Sequence, residues 1–233
     1  MFVTGKAALG AATVLVLAAA GVAGCSSKDD DPAPDPNAVI DVTTMRGALL
    51  QASEIGPTWT PPEDPADTTK LVSICGGTSA PPPVPPGGQV VAADFEDAGD
   101  TGAQTLEQSA LVYPDKTAAD AAQALLKAAA DSCAPSVSVP RTVTTDKSEP
   151  AYTETVRVQP LHQGSWDGFV VIRHKQYEPK HPGTADTAVA VLTDRNVTLV
   201  DAYAIYRLHN ATTSADFTAD WGKLVGSVIQ RVG

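Results

Sequence analysis

Four extended segments follow one another between residues 153 and 208 with no helical pattern among them. They read TETVRVQPL (153–161), DGFVVIRHKQYE (167–178), TAVAVLTDRN (187–196) and NVTLVDAYAIYRL (196–208). Each is rich in β-branched or aromatic residues. In the first, Thr155 and Arg157 alternate with Val156 and Val158, the period-2 signature of a half-buried strand. Asp194-Arg195-Asn196 makes a tight turn between the last two, and Asn196 is the residue suited to a positive φ there. Strands joined so closely pair antiparallel, because a parallel crossover takes a dozen or more residues. The closing segment TSADFTADWGKLVGSVIQRVG (213–233) is helical. Thr213 or Ser214 caps it, and Phe217, Trp221, Leu224, Val225 and Val228 form its apolar stripe. That stripe is expected to cover one face of the sheet.

Upstream, TMRGALLQASEI (44–55) predicts one short helix capped by Thr43 or Thr44 and ended by Gly56-Pro57, with Trp59 folding back on it. Residues 60–103 read as irregular. They hold a polyproline loop, GGTSAPPPVPPGG (76–88), and an acidic stretch, DFEDAGDTG (94–102). The carboxylates of Asp94, Glu96, Asp97 and Asp100 lack the DxDxDG spacing of a calcium loop and read as a solvated loop. QTLEQSALVY (104–113) predicts a strand. TAADAAQALLKAAADSC (117–133) predicts a helix capped by Thr117, with its stripe through Ala121, Leu125, Ala128 and Ala129 and Ala124 beside it. The order helix, strand, helix, four strands, helix argues for an α+β fold with an antiparallel sheet over residues 44–233.

The N-terminus has a different character. Lys6 precedes an apolar run from Ala7 to Ala23 with no acidic residue, the layout of an export signal. Lys28 is followed by Asp29, Asp30 and Asp31 rather than by a basic stop-transfer cluster. The exit Val22-Ala23-Gly24-Cys25 resembles the bacterial lipobox. That resemblance implies a signal peptide over 1–24, a diacylglyceryl thioether on Cys25 and cleavage before it. Paired acyl chains hold a protein at a membrane where one would not. The alternative is an ordinary signal ending at Gly24 with an incidental cysteine. SSKDDDPAPDPN (26–37) has too little apolar area to fold and reads as the start of a flexible tether over 25–43.

Charge and chemistry narrow the partners. The chain has 27 acidic residues against 16 Lys and Arg, a net charge of −11. It carries no basic cluster to neutralise phosphates, which excludes nucleic acid as a partner. Beyond Cys25, only Cys75 and Cys133 remain. In an exported chain that pair favours one disulfide; a redox or metal pair would ask for CxxC spacing or a nearby histidine. No GxSxG, HExxH or glycine-rich phosphate loop is present, so no catalytic residue, cofactor or metal site is assigned. His174 and His181 are a conceivable metal pair, with surface histidines the plainer reading. Asn196 and Asn210 head N-glycosylation sequons, to which a bacterial chain gives little use.

Taken together, LLQASEIGPTW, Cys75, the strand, Tyr-Pro turn and Ala-rich helix ending at Cys133, and the closing DFTADWGKLVGSVIQRV resemble a family of actinobacterial lipoproteins. These are similar to the extracellular sensor domain of the mycobacterial kinase PknH. The resemblance spans residues 44–232. It implies a sheet-and-helix domain with a cleft that binds a ligand or partner outside the membrane, and it carries over no catalytic residue. Two departures stand out: one cysteine pair where that group usually has two, and no kinase. Three hypotheses follow. A binding or sensor-like module predicts a concave pocket rimmed by aromatics such as Trp166, Phe169, Tyr203 and Tyr206, which otherwise read as core. An envelope interaction protein predicts a filled core with a flat apolar patch. A hydrolase predicts a perturbed carboxyl or histidine inside a cleft.

Overall fold

The computed structural model describes residues 38–64, 68–99, 102–144, 148–208 and 215–232. The export signal, Cys25 and most of the tether therefore lie outside the described residues, as do Asp100, His209, Asn210 and the expected cap at Thr213 or Ser214. The elements in order are α1 (Val42–Ala48), α2 (Ala52–Ile55), β1 (Gln89–Gly99), β2 (Gly102–Val112), α3 (Lys116–Asp131), β3 (Ser136–Val139), β4 (Thr142–Val143), β5 (Ser148–Glu149), β6 (Tyr152–Gln163), β7 (Trp166–Tyr177), β8 (Gly183–Asp194), β9 (Val197–Leu208) and α4 (Ala215–Val232). No helix among the described residues is long and apolar enough to cross a membrane.

Seven strands form one sheet in the order β1-β2-β9-β8-β7-β6-β3, and every pairing in it is antiparallel. Helices lie on both faces, so the architecture is the expected α+β. On one face α1 and α4 cover Leu106, Ala190, Leu192, Leu199 and Tyr203, with Phe217, Val225 and Val228 of α4 inserted. On the other, α3 and the loop through Leu71 and Ile74 cover Leu111, Phe169, Val171, Val189 and Val191. Burial on both faces explains the sequence of β8. Its inner positions alternate between the two cores, so Ala188-Val189-Ala190-Val191-Leu192 is apolar without a polar partner set. The outer strand β6 keeps the alternation of a strand with one wet face.

Several expectations are corrected. The helix foreseen over 44–55 is two helices. Asp41, not a threonine, caps α1 by accepting from the Thr44 N–H. The chain then breaks at Leu49 because the Leu50 N–H donates to Gln108 Oε1 of β2, at 2.9 Å. A second helix starts at once: Gln51 and Glu54 form a reciprocal capping box. Residues 89–99, read as loop, are the edge strand β1, and Asp94, Glu96 and Asp97 lie on it. Helix α3 is capped by Asp115, which accepts from the Ala118 N–H, rather than by Thr117. Its buried stripe is Ala119, Ala122, Leu126 and Ala130, one residue on from the expected one, and Leu125 is exposed. At the β8–β9 turn the positive φ belongs to Arg195, not Asn196.

Cys75 and Cys133 are joined by a disulfide, which ties the end of α3 to the 71–84 loop. The two residues after Cys75 are Gly76 and Gly77, both with positive φ. A side chain at Gly76 would strike the Arg173 guanidinium and the Glu154 carboxylate. The Gly77 N–H donates to Glu154 Oε2 at 2.6 Å, so the loop is seated directly on that buried acid.

Candidate functional site

Helix α4 does not cover its sheet face evenly. Its C-terminal half is packed, with Val225, Val228 and Ile229 buried. Its N-terminal half stands over β6, β7 and β8 and leaves a cleft of about 600 Å³ between helix and sheet. Thr155, Arg157 and Gln159 of β6 form one wall. Ile172 and His174 of β7 and Asp186 of β8 form the floor, and Phe217, Thr218 and Trp221 of α4 the other wall. The placement follows from register. Thr155 pairs with His174, Arg157 with Ile172, and His174 with Asp186, so these side chains stand on one face of neighbouring strands.

The polar groups of the cleft differ in how they are satisfied. His174 Nδ1 lies 2.7 Å from Asp186 Oδ1, and the Asp186 side chain is buried. Arg157 is exposed and makes no ion pair among the described residues. The Trp221 Nε1–H is buried and has no hydrogen-bond partner among the described residues. A buried indole N–H ordinarily finds an acceptor. The cleft thus offers apolar walls and one exposed cation.

A larger hollow of about 750 Å³ lies at the β3–β6–β7 end, lined by Ser138–Pro140, Ala151–Thr153 and Gln176–Pro179. It is the weaker candidate because the cation beside it is already committed. Lys175 Nζ sits 2.8 Å from Glu149 Oε1 and 4.0 Å over the Tyr152 ring. Burial and the nearby Glu149 raise the Tyr177 hydroxyl well above its ordinary range.

The expected aromatic rim is corrected. Trp166, Phe169 and Tyr203 are core residues, buried under helices by strand alternation. Tyr206 lines a smaller recess with Asp97, Gln104 and Arg207. The aromatic that presents surface at the cleft is Trp221, which the sequence placed on the stripe of α4 without marking it as lining a site; Phe217 beside it belongs to the core. His174 and His181 take different partners: Asp186 for the first, and Glu178 at 3.8 Å for the second. Asn196 is buried with its amide bonded to Ile40 and Tyr113, so its sequon is closed to a glycosyltransferase.

The titration pattern bears on hydrolysis. Burial pushes the Asp201 carboxyl up to about 7, against the pull of a hydrogen bond from Gln108. It lies in the core between α1 and the sheet and lines none of the clefts described. Burial also raises Glu107 and lowers Arg173, whose guanidinium lies 3.8 Å from Glu154 under the disulfide loop. Glu154 and Arg173 seat the loop.

No family model and no curated protein matches this sequence. Among solved structures, the extracellular domain of PknH from Mycobacterium tuberculosis matches with a TM-score of 0.54 at 15% identity, over 84% of this chain and 98% of that one. At that identity the likeness shows a shared fold.

Proposed function

We propose that this chain is an extracytoplasmic bacterial lipoprotein whose folded domain, from Ile40 to the closing helix α4, is a non-catalytic binding module with its ligand site between α4 and strands β6–β8. Residues 1–24 direct export, Cys25 carries the lipid, and the residues between Cys25 and Ile40 hold the domain off the membrane. The cleft, with the exposed Arg157 on its β6 wall, is the observation that carries the reading. The fold shared with the extracellular domain of PknH supports a place outside the membrane. So does the Cys75–Cys133 bridge, which suits an oxidising compartment. The composition and the lipobox-like exit favour an actinobacterial source. A binding role is preferred to hydrolysis because Asp201, whose carboxyl burial pushes up to about 7, lies in the core and not in the cleft lining.

Two readouts test this. Expressed in an exporting bacterial host, the chain should fractionate with the membrane, and its N-terminal peptide should begin at Cys25 with a diacylglyceryl mass. The Cys25→Ser variant should lose both. Native mass spectrometry of the released protein should show an adduct that denaturation removes. A soluble chain without acyl mass defeats the anchor. A clean protein mass shifts the reading to an envelope interaction protein.

A further inference from the structure

We infer that residues 80–86, APPPVPP, form a preordered docking strip for a partner protein with an aromatic-lined groove, an inference that stands apart from the cleft beside α4. Covalent geometry sets most of the backbone. Proline locks φ at about −65° at 81, 82, 83, 85 and 86, and each residue ahead of a proline is driven to an extended ψ. Within 81–85 the sequence leaves open only ψ of Pro83 and φ of Val84. The burial pattern closes that gap, because it has the three-residue period of a polyproline II helix. Ala80, Pro83 and Pro86 are exposed along one edge, while Pro82 is half-buried and Pro85 buried along another. On the third edge Pro81 is exposed and Val84 turns in against the core under α3. The strip is fastened to the domain. The Cys75–Cys133 bridge holds the loop ahead of it, the Leu71 N–H donates to the Pro82 carbonyl, and the Tyr113 hydroxyl donates to the Pro85 carbonyl at 3.3 Å. A partner therefore meets it already ordered, and little conformational entropy is lost on binding. Packing is served by the inner edge, and the outer edge presents its proline rings to solvent. Such a run offers rings and carbonyl acceptors and no N–H, so its complement is a groove of flat aromatic rings with Trp or Tyr donors. From Ala80 to Pro86 the strip is about 19 Å long at about 3.1 Å per residue, enough to fill more than one ring pocket. Lys70, exposed and bridged to Pro83, sets a cation beside it that asks for an acid on the partner.

The test uses the full chain as bait in an envelope extract of an actinobacterial host, beside a Pro83→Gln/Pro86→Gln variant. The parent should retain a partner that the free peptide SAPPPVPPGG, residues 79–88, releases and that the same peptide with glutamine at 83 and 86 does not. The variant should retain at least about tenfold less, as expected where ring contacts dominate an interface. Both substituted prolines are exposed, so its melting temperature should fall by no more than a few degrees, through the added freedom of the unfolded chain. Lys70→Glu should weaken retention about threefold or more with every proline in place. Retention that survives the glutamine substitutions, or that the peptide does not compete, puts the contact elsewhere on the molecule and overturns the docking strip. An extract from which nothing is retained overturns it too, and leaves the run as a stiffener of the disulfide loop. Peptide competition needs no variant, so it decides the matter even where the double variant is unstable.

Discussion

Asp201 sits in the middle of β9, and its carboxyl accepts from Gln108 Nε2 at 2.6 Å. Gln108 in turn accepts from the Leu50 N–H, so one buried relay links the sheet to the break between α1 and α2. Burial raises the Asp201 carboxyl from 3.8 to about 7. Between those values the folded state keeps a proton that the unfolded chain has released. Stability should therefore fall as pH rises from about 4 to about 7 and level off above it, a contribution of at most about 4 kcal/mol. Asp201→Asn should flatten that slope relative to the parent chain in urea denaturation across this range. Parallel slopes for the two proteins would show that Asp201 stays ionised in the fold. Asn196, in the turn just before Val197, holds the start of the same strand. It binds Ile40 by both its amide oxygen and nitrogen, and it also donates to the Tyr113 carbonyl. In sequence it is a turn residue two positions after Asp194. Nothing local shows that residues far away in the chain would be fastened to it, so this role was not legible. The positive φ fell to Arg195, whose Nε lies 3.1 Å from Asp194 Oδ2 and whose Nη2 donates to the Val232 carbonyl at the end of α4.

Helix α3 shows where periodicity stops informing. Its sequence holds adjacent leucines among alanines, so stripes through Leu125 and through Leu126 are nearly equivalent by spacing alone. The sheet selects Leu126, which is 1% exposed, while Leu125 is 59% exposed. Leu126→Ala should cost about 2–5 kcal/mol and Leu125→Ala under about 0.5, measured as denaturation midpoints. Similar losses at the two positions would mean the helix is rotated. The closing helix was legible because Phe217, Trp221, Val225 and Val228 recur at one helical spacing with large side chains. Strand β1 was missed because Asp94, Glu96 and Asp97 lower its apparent strand character, although its pairing partner β2 was read correctly. Strand β6 carries its own protection. Strand β3 pairs only with residues 152–155, and the Val156 N–H then donates to the Pro135 carbonyl. Pro160 falls in the same strand phase as Val156, so the open edge lacks a donor there. The sequence carried this signal as a proline inside an alternating run.

At the scale of the whole molecule, the run of four strands from β6 to β9 was legible from alternation and short turns. The position of β2 beside β9 was not, because that pairing joins segments nearly a hundred residues apart and leaves no local trace. The candidate site was legible only in part for the same reason. Arg157, His174, Asp186 and Trp221 come from β6, β7, β8 and α4, and only register and helix placement bring them together. The disulfide closes a separation of 58 residues and fixes the loop that seals one core. Replacing Cys75 and Cys133 by serine should lower stability by about 4 kcal/mol on the chain-entropy view. It should also expose the 71–84 loop to limited proteolysis before the sheet unfolds; a loop still resistant would show that Glu154 and the Leu71–Ile74 packing hold it without the bridge. The central claim is that the space between α4 and β6–β8 is a ligand site. The measurement that meets it most directly is native mass spectrometry of the chain and of its Thr155→Trp variant, both recovered from the exporting host. Thr155 is an exposed cleft wall, so the indole fills the cleft without disturbing the core. The account predicts an adduct on the parent chain that is absent from the variant at equal melting temperature. An adduct retained by the variant, or none on the parent, contradicts it.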